Sequence, residues 1–161
     1  MKLKMFKAQA RQIRNHMQQQ RGVSLLEVLI AVLVLSVGML GVAGLQTANI
    51  RNTQSAHQRT MAVLLASSMG ERIRANATVA ANGSFTLPLQ CAKSSPGASI
   101  QSIEQSNWIS EIVDTFGAGG TSCGLVTYNG GTRTYTVTVQ WDDSRALGGS
   151  TSMTITHVAR I

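Results

Sequence analysis

Proline, cysteine and acidic residues are scarce in this chain of 161 residues, and each scarcity narrows the choice of fold and function. The two prolines are Pro88 and Pro96, so no proline interrupts a helix between residues 23 and 76. The two cysteines do not form a Cys-x-x-Cys pair, and there is no zinc signature, phosphate-binding loop or nucleophile elbow. We therefore expect no enzyme, no metal site and no cofactor.

Positive charge is concentrated at the N-terminus. Of the 14 Lys and Arg, six lie in the first 22 residues, where no acidic residue occurs. The remainder of the chain has eight basic and seven acidic residues, so the high isoelectric point belongs to this arm. A basic arm can bind nucleic acid, but here an apolar segment follows at once. Basic residues beside a membrane segment hold that flank in the cytoplasm, so we expect no nucleic acid partner.

Two apolar patterns follow one another after the arm. Residues 23–45 are almost wholly apolar and as a helix would span roughly 34 Å, enough for the hydrocarbon core of a bilayer. Residues 46–76 are amphipathic, with apolar side chains at helical spacing at Ala62, Leu65, Met69 and Ile73. The pattern predicts one helix over residues 24–76, with a membrane half and an outer half whose apolar stripe needs a partner.

Residues 77–161 are predicted to form a head with an antiparallel sheet. Asn82-Gly83 and Pro88 break the helical pattern, and a short helix is predicted over residues 103–116, ending in the glycines of 117–120. Residues 123–128, 134–141 and 153–161 alternate in polarity and are separated by turn residues, which predicts hairpins. We expect an α+β fold in which the long helix packs on three or four antiparallel strands.

Glu27 is the one charged residue within the apolar run. A carboxylate deep in a membrane costs on the order of 2.5–3.5 kcal/mol, and the nearest basic residue in sequence is Arg21. One interpretation is that Glu27 lies at the level of the lipid headgroups and is solvated. The other is that its partner is a new α-amino group on Val23 of a neighbouring subunit, made by cleavage after Gly22.

The stretch from Arg21 to Glu27, followed by the apolar run, resembles the signal of type IV prepilins: a basic leader, a glycine, an apolar residue and an acid fifth after the cut. The resemblance implies a type IV pilin fold, removal of residues 1–22 by a prepilin peptidase, N-methylation of Val23 and charge pairing by Glu27 during assembly. Two departures are Val23, where Phe is usual, and a long leader, which leaves starts at Met5 or Met17 open. A secretory signal peptide, the alternative, has a shorter apolar core.

The resemblance extends to the minor pilin PilV family, the type IV pilus modification proteins. The residues of this sequence that carry the resemblance are 35–46, 62–69 and 71–76. Trp108 and the strand over 137–142 match more loosely. It implies a minor pilin that helps to initiate pilus assembly, is incorporated near the pilus tip and supports adhesion or twitching motility. The alternatives are a minor pseudopilin of type II secretion and a pilin-anchored adhesin or DNA-uptake protein.

The same resemblance implies partners and a location. The partners are the prepilin peptidase, other minor pilins, the major pilin, the inner-membrane assembly platform, a tip adhesin and inner-membrane lipid. Before assembly the protein would cross the inner membrane once, with its N-terminus in the cytoplasm and its C-terminus in the periplasm. After assembly it would lie in the pilus at the cell surface.

Cys91 and Cys123 are predicted to form a disulfide. Both follow the membrane helix, and with the basic flank inside they would lie in the oxidising periplasm. The bond would clamp the middle segment to the sheet, and the alternatives are two free thiols or a metal site.

Two further patterns have more than one interpretation. Gly38, Gly41 and Gly44 indicate either close helix packing in the membrane or a locally weakened helix. Asp142-Asp143-Ser144 could bind calcium, although a solvated hairpin turn is the simpler expectation.

Overall fold

The structure is a computed structural model that describes residues 22–161. The chain divides into two compact units, one ending at Ala43 and the other, the head unit, comprising Gly44–Ile161. The predicted leader lies outside the described residues except for Gly22. The helices are α1 Leu25–Ala75, α2 Ala77–Ala80 and α3 Ile100–Phe116, and the strands are β1 Leu87–Gln90, β2 Cys123–Asn129, β3 Thr134–Trp141 and β4 Met153–Arg160.

Helix α1 confirms the long helix predicted from the absence of proline, beginning and ending within one residue of the predicted bounds. Its end is set by Asn76, whose backbone N–H and side-chain Nδ2 both donate to the carbonyl of Arg72, at 3.2 and 2.8 Å. Within the head unit one stripe of α1 is buried: Ala62, Leu65, Ala66, Met69, Gly70 and Ile73. The amphipathic stripe predicted from the sequence is therefore the face that packs on the sheet.

The sheet has four antiparallel strands in the order β1-β2-β3-β4. Strand β3 shows why the Thr-, Val- and Tyr-rich segments form strands, because successive side chains alternate between the two faces. Tyr135, Val137, Val139 and Trp141 are fully buried, while the threonines between them are half-exposed. The predicted fold class, a long helix packed on an antiparallel sheet as in pilins, is confirmed.

The core of the head unit lies between α1, α3 and the inner face of the sheet. The indole Nε1 of Trp108 on α3 donates to the carbonyl oxygen of Leu65 on α1 at 2.9 Å, so a buried polar atom is satisfied between the two helices. The hydroxyl of Tyr135 on β3 donates to the carbonyl of Ala80 on α2 at 2.6 Å. Burial raises the pKa of this Tyr135 hydroxyl.

Two short elements and one helix start differ from the sequence-based prediction. No element was predicted over residues 77–102, yet α2 and β1 lie there, and α3 begins at Ile100 instead of residue 103. Strand β1 contains Pro88 and has an irregular register against β2. A four-residue strand with a proline has little local preference for extended structure, so its pairing with β2 is a tertiary effect.

Gly70 lies where α1 packs against His157 and Ala159 of β4. A methyl group added at Gly70 would lie 2.8 Å from Cδ2 and 2.9 Å from Nε2 of His157. The imidazole ring therefore occupies the space that any larger residue at position 70 would need. His157 Nε2 is buried and has no hydrogen-bond partner among the described residues.

We predict that Gly70→Ala destabilises the head unit by about 1–2 kcal/mol, because overpacking in a core outweighs the gain in helix propensity. Denaturant unfolding of the detergent-solubilised chain measures the change. Gly44→Ala on the same helix has nothing within 4 Å of the added methyl group and serves as the control. If the clash with His157 is the cause, adding His157→Ala to the Gly70→Ala variant should restore part of the lost stability. Additive changes in the free energy of unfolding for the two substitutions would contradict this account.

Candidate functional site

The predicted cleavage bond lies in non-helical chain immediately before α1. Gly22, Val23 and Ser24 are exposed and outside any helix, and Val23 is 69% exposed. Ser24 then starts the helix, since its carbonyl accepts from the N–H of Glu27 at 3.0 Å and its hydroxyl accepts from the N–H of Leu26 at 3.2 Å. The bond between Gly22 and Val23 is therefore in the non-helical, accessible chain that a peptidase needs.

Glu27 lies in the first turn of α1, where the helix dipole stabilises a carboxylate. Its side chain is exposed, and it makes no ion pair within residues 22–161. Leu26, Val28 and Leu29 around it are all exposed and apolar. The geometry is a carboxylate on an apolar helix surface, so any cation that pairs with it comes from outside the described chain.

The first half of α1 has the length and composition of a membrane span. Its most apolar 18-residue window has a mean hydropathy of 2.7, and none of that window is buried. The exposed side chains include Ile30, Leu33, Val37, Leu40 and Leu45. Because such a surface needs apolar surroundings, this segment supports anchoring in a membrane.

Gly38, Gly41 and Gly44 are exposed, and an added methyl group at any of them would meet nothing within 4 Å. The space around them is therefore open to an approaching helix. The same observation is compatible with a weakened helix, so both interpretations from the sequence remain predictions.

A disulfide joins Cys91, just after β1, to Cys123 at the start of β2, with an S–S distance of 2.05 Å. Cys123 is buried and Cys91 is half-buried. The bond fastens the chain between β1 and α3 to the sheet, which is the clamp expected from the sequence. It closes a loop with a sequence separation of 32 residues.

Removing the disulfide should destabilise the head unit by about 3–4 kcal/mol, because a loop of this length gains that much conformational freedom when the chain unfolds. The double variant Cys91→Ala/Cys123→Ala leaves no free thiol, and its denaturant unfolding can be compared with that of the oxidised wild type. Alkylation of the protein in isolated membranes without reductant should label neither cysteine. Label on both cysteines would contradict the bond.

Arg72 forms the main ion-pair cluster of the head unit, which the sequence did not predict. Its guanidinium lies 3.1 Å from a carboxylate oxygen of Glu104 and 2.7 Å from one of Glu111, both on α3. All three side chains are partly exposed, so solvent screens these pairs and their contribution to stability is modest. Their main effect is geometric, because one planar donor fixes α3 along α1.

The turn after β3 is more than a solvated loop. Asp142 is exposed, and the backbone and hydroxyl of Ser144 hold its pKa below the usual value. Asp143 is only 3% exposed and accepts a hydrogen bond from the Ser55 hydroxyl at 2.6 Å. The expectation of a solvated turn is therefore wrong for Asp143, which ties the turn to α1.

A cleft of about 900 Å³ with a mixed polar and apolar lining lies beside this turn, between α1, the end of α3 and the chain after β3. His57 lines the cleft, whereas His157 lies at Gly70, so the structure does not bring the two histidines together. Within residues 22–161 no group of three or more His, Cys, Asp or Glu could hold a metal ion.

Residues 17–43 match the family model described as the prokaryotic N-terminal methylation motif. No curated protein and no solved structure matches the chain. The match supports a type IV pilin-like protein and indicates a type IV pilin or pseudopilin, members of a structural and not an enzymatic class. The motif implies processing by a prepilin peptidase and assembly with other pilins.

Proposed function

We propose that this protein is a minor pilin of a type IV pilus that helps to initiate assembly and is incorporated near the pilus tip. The observation that carries the proposal is Glu27, an exposed carboxylate without an ion-pair partner in the described chain, five residues after Gly22 and within the methylation motif. A charge in that position on an apolar surface is costly unless a partner is supplied during assembly.

Processing supplies the partner. The prepilin peptidase cuts between Gly22 and Val23 and methylates the new amine, which is mostly protonated at neutral pH. A carboxylate opposite it in an apolar setting favours the protonated form further. Pairing Val23 of one subunit with Glu27 of its neighbour offsets their helices by about one helical turn, roughly 6 Å. The pair sets the register, and the apolar helix surfaces pack around it.

The remaining partners follow from the same route. Before assembly the chain lies in the inner membrane with its head in the periplasm. In the inner membrane it binds other minor pilins, the major pilin and the assembly platform. A tip adhesin is a further partner, through which the subunit supports adhesion or twitching motility. The assignment to the PilV family rests on residues 35–46, 62–69 and 71–76, and Arg72 in the last of these joins α1 to α3.

A minor pseudopilin of type II secretion is the second candidate, because it would carry the same motif and helix. Deletion of the gene, with complementation, followed by counts of surface pili and an assay of secreted proteins, distinguishes the two. We expect fewer pili with unchanged secretion. Normal piliation with lost secretion would favour the pseudopilin, and normal values of both would favour an adhesin or DNA-uptake role.

A further inference from the structure

The two edges of the head sheet differ in how well they are protected. Strand β1 is four residues long, contains Pro88, has an irregular register and is followed by the disulfide at Cys91. Strand β4 pairs with β3 over eight consecutive residues without irregularity and contains no proline, glycine, lysine or acid. Proteins use those features to block edge-to-edge pairing, so β1 is blocked and β4 is open.

The backbone groups that β4 presents outward follow from one hydrogen bond. The N–H of Ile161 donates to the carbonyl of Arg133 at 3.1 Å, which makes these two residues a hydrogen-bonded pair. In an antiparallel ladder bonded and non-bonded pairs alternate, so Ala159, His157 and Ile155 also bond to β3. The N–H and C=O groups that point away from β3 are those of Thr154, Thr156, Val158 and Arg160.

These outward groups form an open row in the described part of the chain. None of them has a hydrogen bond to residues 22–161 beyond the sheet. Their side chains are exposed, and Arg160 carries the one charge on the strand. An alternating row of donors and acceptors is complementary to another extended backbone and to no compact ligand.

The inner face of the sheet is less completely buried at β4 than at β3. On the inner face Val137 and Val139 of β3 are fully buried, whereas their register neighbours on β4, His157 and Ile155, are half-exposed. Met153 is half-exposed too. A fifth strand beside β4 with apolar residues on its inner face would complete the burial of this row.

We propose that β4 is the docking edge for an antiparallel strand from a different pilin-class subunit, an extended segment of about seven residues that alternates apolar and polar side chains. This inference rests on the proposed function, because it takes the neighbours to be pilin-class proteins. The partner's apolar residues contact Ile155 and His157, and its backbone bonds the outward groups from Thr154 to Arg160.

A second copy of this chain fits the edge poorly. Two β4 strands of identical chains pair antiparallel only around a twofold axis. Subunits that the proposed Val23–Glu27 pair sets at a constant offset along one filament have no such axis between them, so two β4 strands do not pair in this way. Strand β1 of a second copy is short and contains Pro88.

The test uses two variants of the full chain that differ in one backbone donor. Thr156→Pro removes an outward N–H and places a ring in the line of pairing, while the bonds to β3 remain. Thr156→Ala removes the side chain and keeps the N–H. Each variant is co-expressed with the other pilin-class subunits of the producing cell, one at a time, and complexes are quantified from detergent-solubilised membranes.

We expect one identified subunit to bind the wild type and Thr156→Ala within twofold of each other, and Thr156→Pro at least tenfold more weakly. A wild-type amount of Thr156→Pro in the membrane and complete oxidation of its cysteines establish that this variant folds. If it fails either check, Val158→Pro, which removes another outward N–H, is used in its place. In the complex the outward amides of Thr154, Thr156, Val158 and Arg160 should become protected from hydrogen exchange. A photo-crosslinking residue at Val158 should join the same subunit.

Three results would overturn the inference: equal binding by the proline and alanine variants, absence of binding to any of these subunits, or crosslinks to a second copy alone. The proposed function fails separately, if the processed wild type never enters pili and its deletion changes neither piliation nor assembly. A chain that enters pili equally well with Thr156→Pro leaves that function intact and removes the docking edge.

Discussion

Glu27→Ala should insert in the membrane and lose its leader normally but be at least 100-fold depleted from sheared pili. Insertion should be no worse, because the change removes a costly carboxylate from an apolar segment. Cleavage should persist, because the bond lies before α1 in exposed chain. Assembly should suffer, because the α-amino group of Val23 in the neighbouring subunit loses its partner in a low-dielectric setting, at about 3–5 kcal/mol. Immunoblots of membranes and of sheared pili measure each step.

The controls separate charge from side-chain loss. Glu27→Gln keeps the shape without the charge and should fail like alanine, whereas Glu27→Asp should retain part of the incorporation. Glu71→Ala removes another exposed acid from α1, one that pairs with Arg74, and should leave incorporation unchanged. Entry of Glu27→Ala into pili at wild-type levels would mean that Glu27 is only a solvated acid at the membrane surface.

Gly22→Leu should leave the full leader on the protein. The glycine has no side chain and lies in exposed, non-helical chain, and a bulky residue next to the cut would obstruct the peptidase. The uncut chain keeps its leader and has no free amine on Val23 to pair with Glu27. We therefore expect accumulation in the membrane and almost no subunit in pili, with intact-protein mass spectrometry as the measurement.

Gly22→Ala is the matched control, since its small side chain should allow cleavage at a reduced rate. Gly38→Leu adds the same side chain within α1, far from the bond, and should be processed normally. A mature N-terminus near Gly44 in the wild type would identify a secretory signal instead and would remove both predictions.

The helix and the fold class were predictable because their signals are local. The run over residues 23–45 and the stripe from Ala62 to Ile73 need only composition and helical spacing, and no proline interrupts them. The hairpin from β2 to β3 was predictable for the same reason, since Asn129-Gly130-Gly131 separates two alternating segments. Glu27 stands out because a charge is anomalous within an apolar run, whereas Gly22 was identified as the cleavage position through the resemblance to the prepilin signal.

Contacts between distant residues had to come from the tertiary structure. Strand β1 forms because β2 supplies its hydrogen bonds, and its sequence shows no strand preference of its own. Asp143 is buried because Ser55, 88 residues earlier, reaches it, and Gly70 is required because His157 fills its space. The edge of β4 is open because the sheet ends there. The order of the strands depends on which strands pair, and local sequence does not specify this because the strands have similar local preferences for extended structure.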